Sequence, residues 1–283
     1  MTVMLPDSTV RIEVLGEELR RLREACGLTL TEVVSRIGIS ESHLSRIEKG
    51  KRMPSPEDVS ALLVVYGVTG EERLELLTLA RKAGQTGLWQ REGSFESKYA
   101  TLRILESRAT ALVSFEPLMI PGLLQTMPYA EACIRGVSMI EDQAAVDERV
   151  VGRVHRQAVL RGYDAPPLVS IIGEAALRCP IGGRKVLRDQ LRYLVEVAER
   201  PGVTLRVVPI SAGASPGLLG SFLRMRFADR PSVVLLESQT SNLFLEDHSD
   251  IAAYDQAIVE LLSVAMREED SVRLVAEMAA TLE

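Results

Sequence analysis

The chain has 283 residues, 46% apolar and 4% aromatic, with 33 Lys/Arg against 39 Asp/Glu and a net charge of −6. That length and apolar content allow two domains with a sizeable core and exclude a disordered chain. The longest apolar runs, such as 61–66, fall far short of the roughly 20 residues that span a bilayer, and the N-terminus shows no basic region leading into an apolar run, so the reading is a cytoplasmic protein without a membrane span. Cys26, Cys133 and Cys179 have no metal-type spacing and the three histidines are scattered, so buried thiols, no metal site and no cofactor are expected.

The charge is uneven. Residues 11–53 hold nine Lys/Arg against seven Asp/Glu, whereas the remainder is acidic. A locally basic tip on an acidic body can still meet a phosphate backbone, because charge interactions are screened within roughly 10 Å at 0.1 M salt.

In chain order, the pattern predicts a first helix over 14–26, with Leu15, Leu19 and Leu22 on one face and Gly27 ending it. Thr29-Leu30-Thr31-Glu32 is a capping box that opens a second helix, in which Val33 and Ile37 point inward. Gly38 is the pivot of a tight turn, because positive φ costs glycine little. Ser40 caps a third helix whose inward pair is Leu44 and Ile47. Glu41, Ser42, Ser45, Arg46 and Lys49 are left outside, followed by Lys51 and Arg52. Helices over 56–66 and 71–83 complete a five-helix bundle.

That outer face is built from DNA-reading chemistry. Arg suits bidentate contact with guanine O6 and N7, and a Ser hydroxyl can donate or accept. Lysines at the end of a helix suit phosphate. The alternative is a helical hairpin in an ordinary bundle with a solvated charged face, which helical periodicity alone does not reject. The combined placement of Val33, Gly38, Ile39, Leu44 and Ile47 favours DNA binding.

With those residues in place, the segment resembles the phage-repressor (Xre, Cro/CI-like) helix-turn-helix family. The matching text is Leu28 to Thr31, Gly38-Ile39-Ser40 and Ser45-Arg46-Ile47-Glu48-Lys49-Gly50-Lys51-Arg52-Met53-Pro54-Ser55. The resemblance implies base reading by Glu41, Ser42, His43 and Arg46, and an ion pair between Arg23 and Glu48. Ser45, Lys49, Lys51 and Arg52 are the expected phosphate contacts. His43 either reads bases or braces the turn, and Glu41 either repels phosphate or accepts from a cytosine N4. Two positions depart from the family: Leu30 stands where a phosphate-gripping Gln is common, and Val34 where a small residue is usual.

Gly84-Gln85-Thr86-Gly87 breaks the helical pattern and marks a boundary, giving a DNA-binding domain over 10–83, a linker over 84–97 and a C-terminal domain over 98–283. Trp89 is expected to pack the two domains together. Helices are expected over 96–105, 120–135 and 140–161, the second starting after Pro121. The apolar run 168–172 and the alternating 203–209 flank a helix over 185–199, a unit whose strands could be parallel neighbours. Runs 222–227 and 233–237 read as a hairpin, 243–245 as a further strand, and 250–266 and 269–282 as closing helices. The fold class expected is thus a mainly α five-helix bundle plus an α+β domain with a small mixed sheet.

This second half resembles the WhiJ-like C-terminal domain of a group of actinobacterial regulators. The resemblance rests on Glu116-Pro117-Leu118, Ile120-Pro121-Gly122-Leu123-Leu124-Gln125-Thr126, Glu174-Ala175-Ala176-Leu177-Arg178, Gly182-Gly183, Ala198-Glu199-Arg200-Pro201 and Leu243-Phe244-Leu245-Glu246-Asp247. It implies an antitoxin-like setting with a small protein partner on the C-terminal region. An enzyme reading fares worse. Gly213-Ala214-Ser215-Pro216-Gly217 fits the G-x-S-x-G nucleophile elbow, with Asp247 and His248 downstream, but the Pro/Gly run leads into another strand and not the helix an elbow needs. No catalytic residue is expected. The reading is a DNA-binding transcriptional regulator, a homodimer on an inverted-repeat double-stranded operator. Its alternatives are an antitoxin-like interaction module that autoregulates its operon and a small-molecule-sensing regulator.

Overall fold

A capping box and two buried leucine stripes organise the first part of the chain. The computed structural model describes residues 10–82, 88–91, 95–137, 142–162, 164–239 and 241–282. They form two compact units, one up to Leu88 with Asp229–Pro231, the other Trp89–Ala228 with Ser232–Glu283. Of the expected linker, residues 84–87 and 92–94 lie outside those described, as does the side chain of Trp89.

The first unit is helical: α1 (Val10–Ala25), α2 (Leu30–Ile37), α3 (Glu41–Glu48), α4 (Pro56–Val65) and α5 (Gly70–Arg81). α1 starts a turn earlier than its leucine periodicity suggests. Leu15, Leu19, Leu22, Val33, Leu44, Ile47, Leu62 and Leu63 make one buried core. Leu30 and Val34, the two departures from the resembling family, pack half-buried on that core. α4 has a capping box of its own, Ser55 with Asp58, and Pro56 at its first turn, where the missing N–H costs nothing.

The second unit is α+β. Its strands are β1 (Leu88–Arg91), β2 (Ala111–Glu116), β3 (Leu168–Gly173), β4 (Val203–Val208), β5 (Phe222–Arg226), β6 (Val233–Glu237) and β7 (Ser241–Leu245). They form one sheet in the order β1-β7-β6-β5-β2-β3-β4. β3 and β4 are parallel neighbours in register Leu168↔Val203, and β5 and β6 are antiparallel, Leu223↔Leu235. The sheet is larger than expected because β1 and β2 were not foreseen. β2 joins the two halves, parallel to β3 and antiparallel to β5.

The helices are α6 (Phe95–Arg108), α7 (Met127–Val137), α8 (Gln143–Arg156), α9 (Glu174–Arg178), α10 (Arg184–Ala198), α11 (His248–Val264) and α12 (Glu268–Ala280). On one sheet face Phe115, Ile171 and Val234 pack with Ile258 and Leu261 of α11. Leu112, Ser114, Leu168, Ser170 and Leu235 lie buried on the opposite face.

Two helix expectations need correction. A continuous helix over 120–135 would have placed Pro128 in its interior, costing a backbone hydrogen bond. Instead Gly122–Leu124 is a 3-10 turn, Gln125 is extended, and Pro128 sits in the first turn of α7. Gln190 holds the intervening chain, its Oε1 accepting from the Thr126 amide at 2.6 Å and its Nε2 donating to the Leu124 carbonyl at 2.7 Å. The helix expected over 140–161 is shorter: Asp142 caps α8 by accepting from the Ala144 and Ala145 amides, and a 3-10 turn, Gln157–Leu160, follows. Residues 140 and 141 lie outside the described part. Among the described residues no helix is long and apolar enough to cross a membrane.

Candidate nucleic-acid interface

α3 is fixed at both ends by local chemistry. At its start, the Ser40 hydroxyl accepts from the His43 amide at 3.2 Å. Gly38 closes α2 at φ 76°, a left-handed conformation that side chains with a Cβ resist. The Thr29 and Glu32 capping box is fully formed, with the Glu32 carboxylate accepting from the Thr29 amide at 2.8 Å. Those Thr29 hydrogen bonds hold Glu32 below the usual carboxylate range.

At its end, α3 is gripped by α1. Arg23 donates twice to Glu48, Nε to Oε1 at 2.7 Å and Nη2 to Oε2 at 2.9 Å, and Nη1 reaches the Leu28 carbonyl at 2.9 Å. Hydrogen bonding to Glu48, against the opposing effect of burial, raises Arg23 above its ordinary value. Glu48 is only 5% exposed. Its charge is therefore spent inside the unit and does not confront a phosphate.

Sequence reasoning missed two glycines that set this contact. A Cβ on Gly16 would lie 2.3 Å from the Ile47 carbonyl oxygen. One on Gly50, which has φ 65°, would lie 2.9 Å from Glu13 Cα. The backbones of α1 and the α3 terminus thus approach at a distance only glycine permits. A lone glycine inside a leucine-striped helix was the available signal.

With Leu44, Ile47 and Glu48 inward, Ser42, Ser45, Arg46 and Lys49 form an i, i+3, i+4, i+7 stripe. Ser42, Arg46 and Lys49 are exposed and Ser45 is half-buried. Lys51 and Arg52 follow in the turn, both exposed. Glu41 is also exposed, its carboxylate accepting from the Thr31 hydroxyl at 3.2 Å. His43 stands apart from the stripe. It is half-buried, and its Nε2 lies 3.3 Å from Asp58 Oδ2 in α4. Burial pushes Asp58 up, but the Ser55 hydroxyl and amide, with His43, outweigh it and hold the carboxyl below its usual value.

The loop with the nucleophile-elbow pattern has a different geometry. After β4 come a 3-10 turn (Ile210–Ala212), Gly213 at φ 69°, an extended Ser215 and a second 3-10 turn (Pro216–Leu219) that runs into β5. The strand, sharp turn and α-helix that would present a nucleophile are not formed there. Among the described residues no group of three or more His, Cys, Asp and Glu is placed to hold a metal.

Residues 14–76 match a family model described as a helix-turn-helix domain, and residues 99–277 one described as a domain of unknown function (DUF5753). Among curated proteins, the HTH-type transcriptional regulator DdrOP3 of Deinococcus deserti is 39% identical over 61 residues, 22% of this chain and 47% of that protein. The HTH-type transcriptional repressor RghR of Bacillus subtilis is 42% identical over 52 residues, 18% of this chain and 38% of that protein. An uncharacterized HTH-type transcriptional regulator, y4dJ of Sinorhizobium fredii, is 36% identical over 66 residues, 23% of this chain and 82% of that protein. The chain thus spans less than half the length of the first two. A solved archaeal chromatin protein, TrmBL2, aligns over 84% of this chain and 88% of its own at 11% identity and a TM-score of 0.32.

Proposed function

We propose that this chain, which belongs to the family defined by the DUF5753 domain and carries a helix-turn-helix domain at residues 14–76, is a sequence-specific DNA-binding transcriptional regulator. The observation that carries the reading is the stripe of Ser42, Ser45, Arg46 and Lys49 on a helix held rigidly by the Arg23–Glu48 pair. With its side chains an α-helix is about 10–12 Å across, which lets one such as α3 enter a major groove about 12 Å wide. Ser42 and Arg46, with Glu41 at the rim, read base edges. Ser45, Lys49, Lys51 and Arg52 hold phosphate. His43, tied to Asp58, braces α3 against α4 and leaves base reading to its neighbours.

The phage-repressor type of helix-turn-helix and its placement on DNA belong to the same proposal, as does the division into a reading domain at 10–83, a linker at 84–97 and a C-terminal domain at 98–283. One short helix reads one half-site, so a homodimer on an inverted repeat is proposed, with half-sites about one helical turn apart. The C-terminal domain supplies dimerisation, a protein contact or effector sensing.

Selection of bound genomic fragments followed by sequencing, at two salt concentrations and with Arg46→Ala in parallel, tests the proposal. Enrichment of an inverted repeat that the variant loses supports it. Weak, salt-labile binding without sequence preference overturns it.

A further inference from the structure

We propose that the C-terminal unit binds a small organic ammonium ion in a cavity between the β2–β5–β6 face of the sheet and helices α6 and α8. The cavity measures about 70 Å³. At 10–15 Å³ for each water-sized occupant, it has room for a ligand of about five non-hydrogen atoms.

The strand register builds one wall. Ser114 of β2 stands opposite Leu223 of β5, which stands opposite Leu235 of β6, so the three side chains share a face. Glu116 and Glu237 lie two residues further along β2 and β6 on that face, and both line the cavity. Leu102 of α6 adds an apolar wall.

Three carboxyl groups, Glu106, Glu116 and Glu237, and two arginines, Arg153 and Arg156, line the cavity. Arg156 and Glu106 neutralise each other through two hydrogen bonds of 2.9 and 2.6 Å, with Glu106 only 1% exposed. Arg153, which donates to Gln125 Oε1 at 3.0 Å, is then set against both Glu116 and Glu237. One carboxyl group is thus left without a guanidinium, and either a proton or a bound cation must meet its charge.

A second observation is independent of this charge count. Ser114 is 7% exposed, and among the described residues its Oγ has no hydrogen-bond partner. A buried hydroxyl left unpaired is uncommon in a folded protein and calls for an explanation. An ammonium group carries three donors and no acceptor. It matches Ser114 Oγ and the two carboxylates, and its alkyl part meets Leu102, Leu223 and Leu235. A divalent cation is a poorer match, since it demands six or more oxygens and the Arg153 guanidinium already competes for the carboxyl groups of Glu116 and Glu237.

Glu116 adds a signature. Burial, reinforced by the Glu237 carboxylate and opposed by Arg153, pushes it up to about 8, so near neutral pH it holds its proton. A cation seated beside it favours the carboxylate, and the proton leaves on binding. Every group involved belongs to the second unit, so the inference stands or falls apart from DNA reading.

The test is calorimetry on the full chain without DNA, near neutral pH, in two buffers of different protonation enthalpy. The probes are n-propylammonium, 1-propanol, propionate and calcium. The expected result is saturable binding of propylammonium alone, with buffer-dependent heat that reports proton release. Glu116→Gln keeps the shape of the protonated acid, so the fold should hold, as its melting temperature will report. It should weaken propylammonium binding about ten- to hundredfold and remove the buffer dependence. Ser114→Ala removes only the unpaired hydroxyl and should weaken binding to a smaller extent. The inference is overturned by absence of propylammonium binding, by stronger binding of propionate, propanol or calcium, or by unchanged affinity in both variants.

Discussion

Arg23 on α1 and Glu48 at the end of α3 meet in a two-bond ion pair, with the Arg23 side chain 12% and that of Glu48 5% exposed. The pair lies 25 residues apart in sequence and ties the first helix to the proposed reading helix. Removing the arginine strands a buried carboxylate, which costs far more than losing a surface pair. Arg23→Ala is expected to destabilise the helical unit by about 3 kcal/mol. Urea unfolding followed by helical circular dichroism measures it, and a loss within the ordinary surface range of about 0.5 kcal/mol would show the pair to be solvated.

Gly16→Ala separates backbone crowding from other glycine effects. The added methyl would sit 2.3 Å from the Ile47 carbonyl oxygen, so α1 or α3 must move. A cost of about 1–3 kcal/mol is expected, together with a loss of operator affinity beyond what unfolding explains. Gly27→Ala is the control. Gly27 has φ 67° but open space around its Cβ position, so about 1–2 kcal/mol of backbone strain is expected with DNA affinity of the folded fraction intact. Equal effects of the two on DNA binding would mean that the α1–α3 approach does not orient the reading helix.

How far the sequence reveals such features depends on how local their causes are. The capping box at Thr29, the turn at Gly38 and the cap at Ser40 each lie within a few residues and could be read directly. Gly16 and Gly50 could not, because their constraint comes from a partner backbone more than thirty residues away. β2 was missed for a related reason. Ser114 and Glu116 on its face dilute an apolar alternation, and only its pairing with β3 and β5 makes it a central strand. The contact between His43 and Asp58 could not be read either, since Asp58 arrives from another helix.

Acid should loosen α4 at a defined place. Asp58 is held below the usual carboxylate value in the folded chain, so its contribution to stability is present above about pH 4, the unfolded value, and disappears as pH falls through the lower folded one. Asp58→Asn is expected to flatten that part of the stability curve. Ser55→Ala, which removes the reciprocal cap, should cost about 1 kcal/mol near neutral pH and flatten it as well. Melting temperatures of the three proteins across the acid range provide the check. Parallel curves for wild type and Asp58→Asn would place the acid sensitivity elsewhere.

The proposed base and phosphate contacts differ in how they depend on sequence and salt. Arg46 lies on the exposed stripe between Ser42 and Lys49, whereas Lys51 lies in the turn beyond the helix. Arg46→Ala should cost about 1–3 kcal/mol at the cognate site and relax the preference at one base position. Lys51→Ala should weaken binding to every sequence and reduce the salt slope by about one counterion. Titrations of each variant against the selected operator and a scrambled duplex, at several salt concentrations, distinguish the two. If Arg46→Ala instead lowers affinity equally for both duplexes, Arg46 touches the backbone. The reading edge of α3 would then fall to Glu41 and Ser42, nearer the helix start.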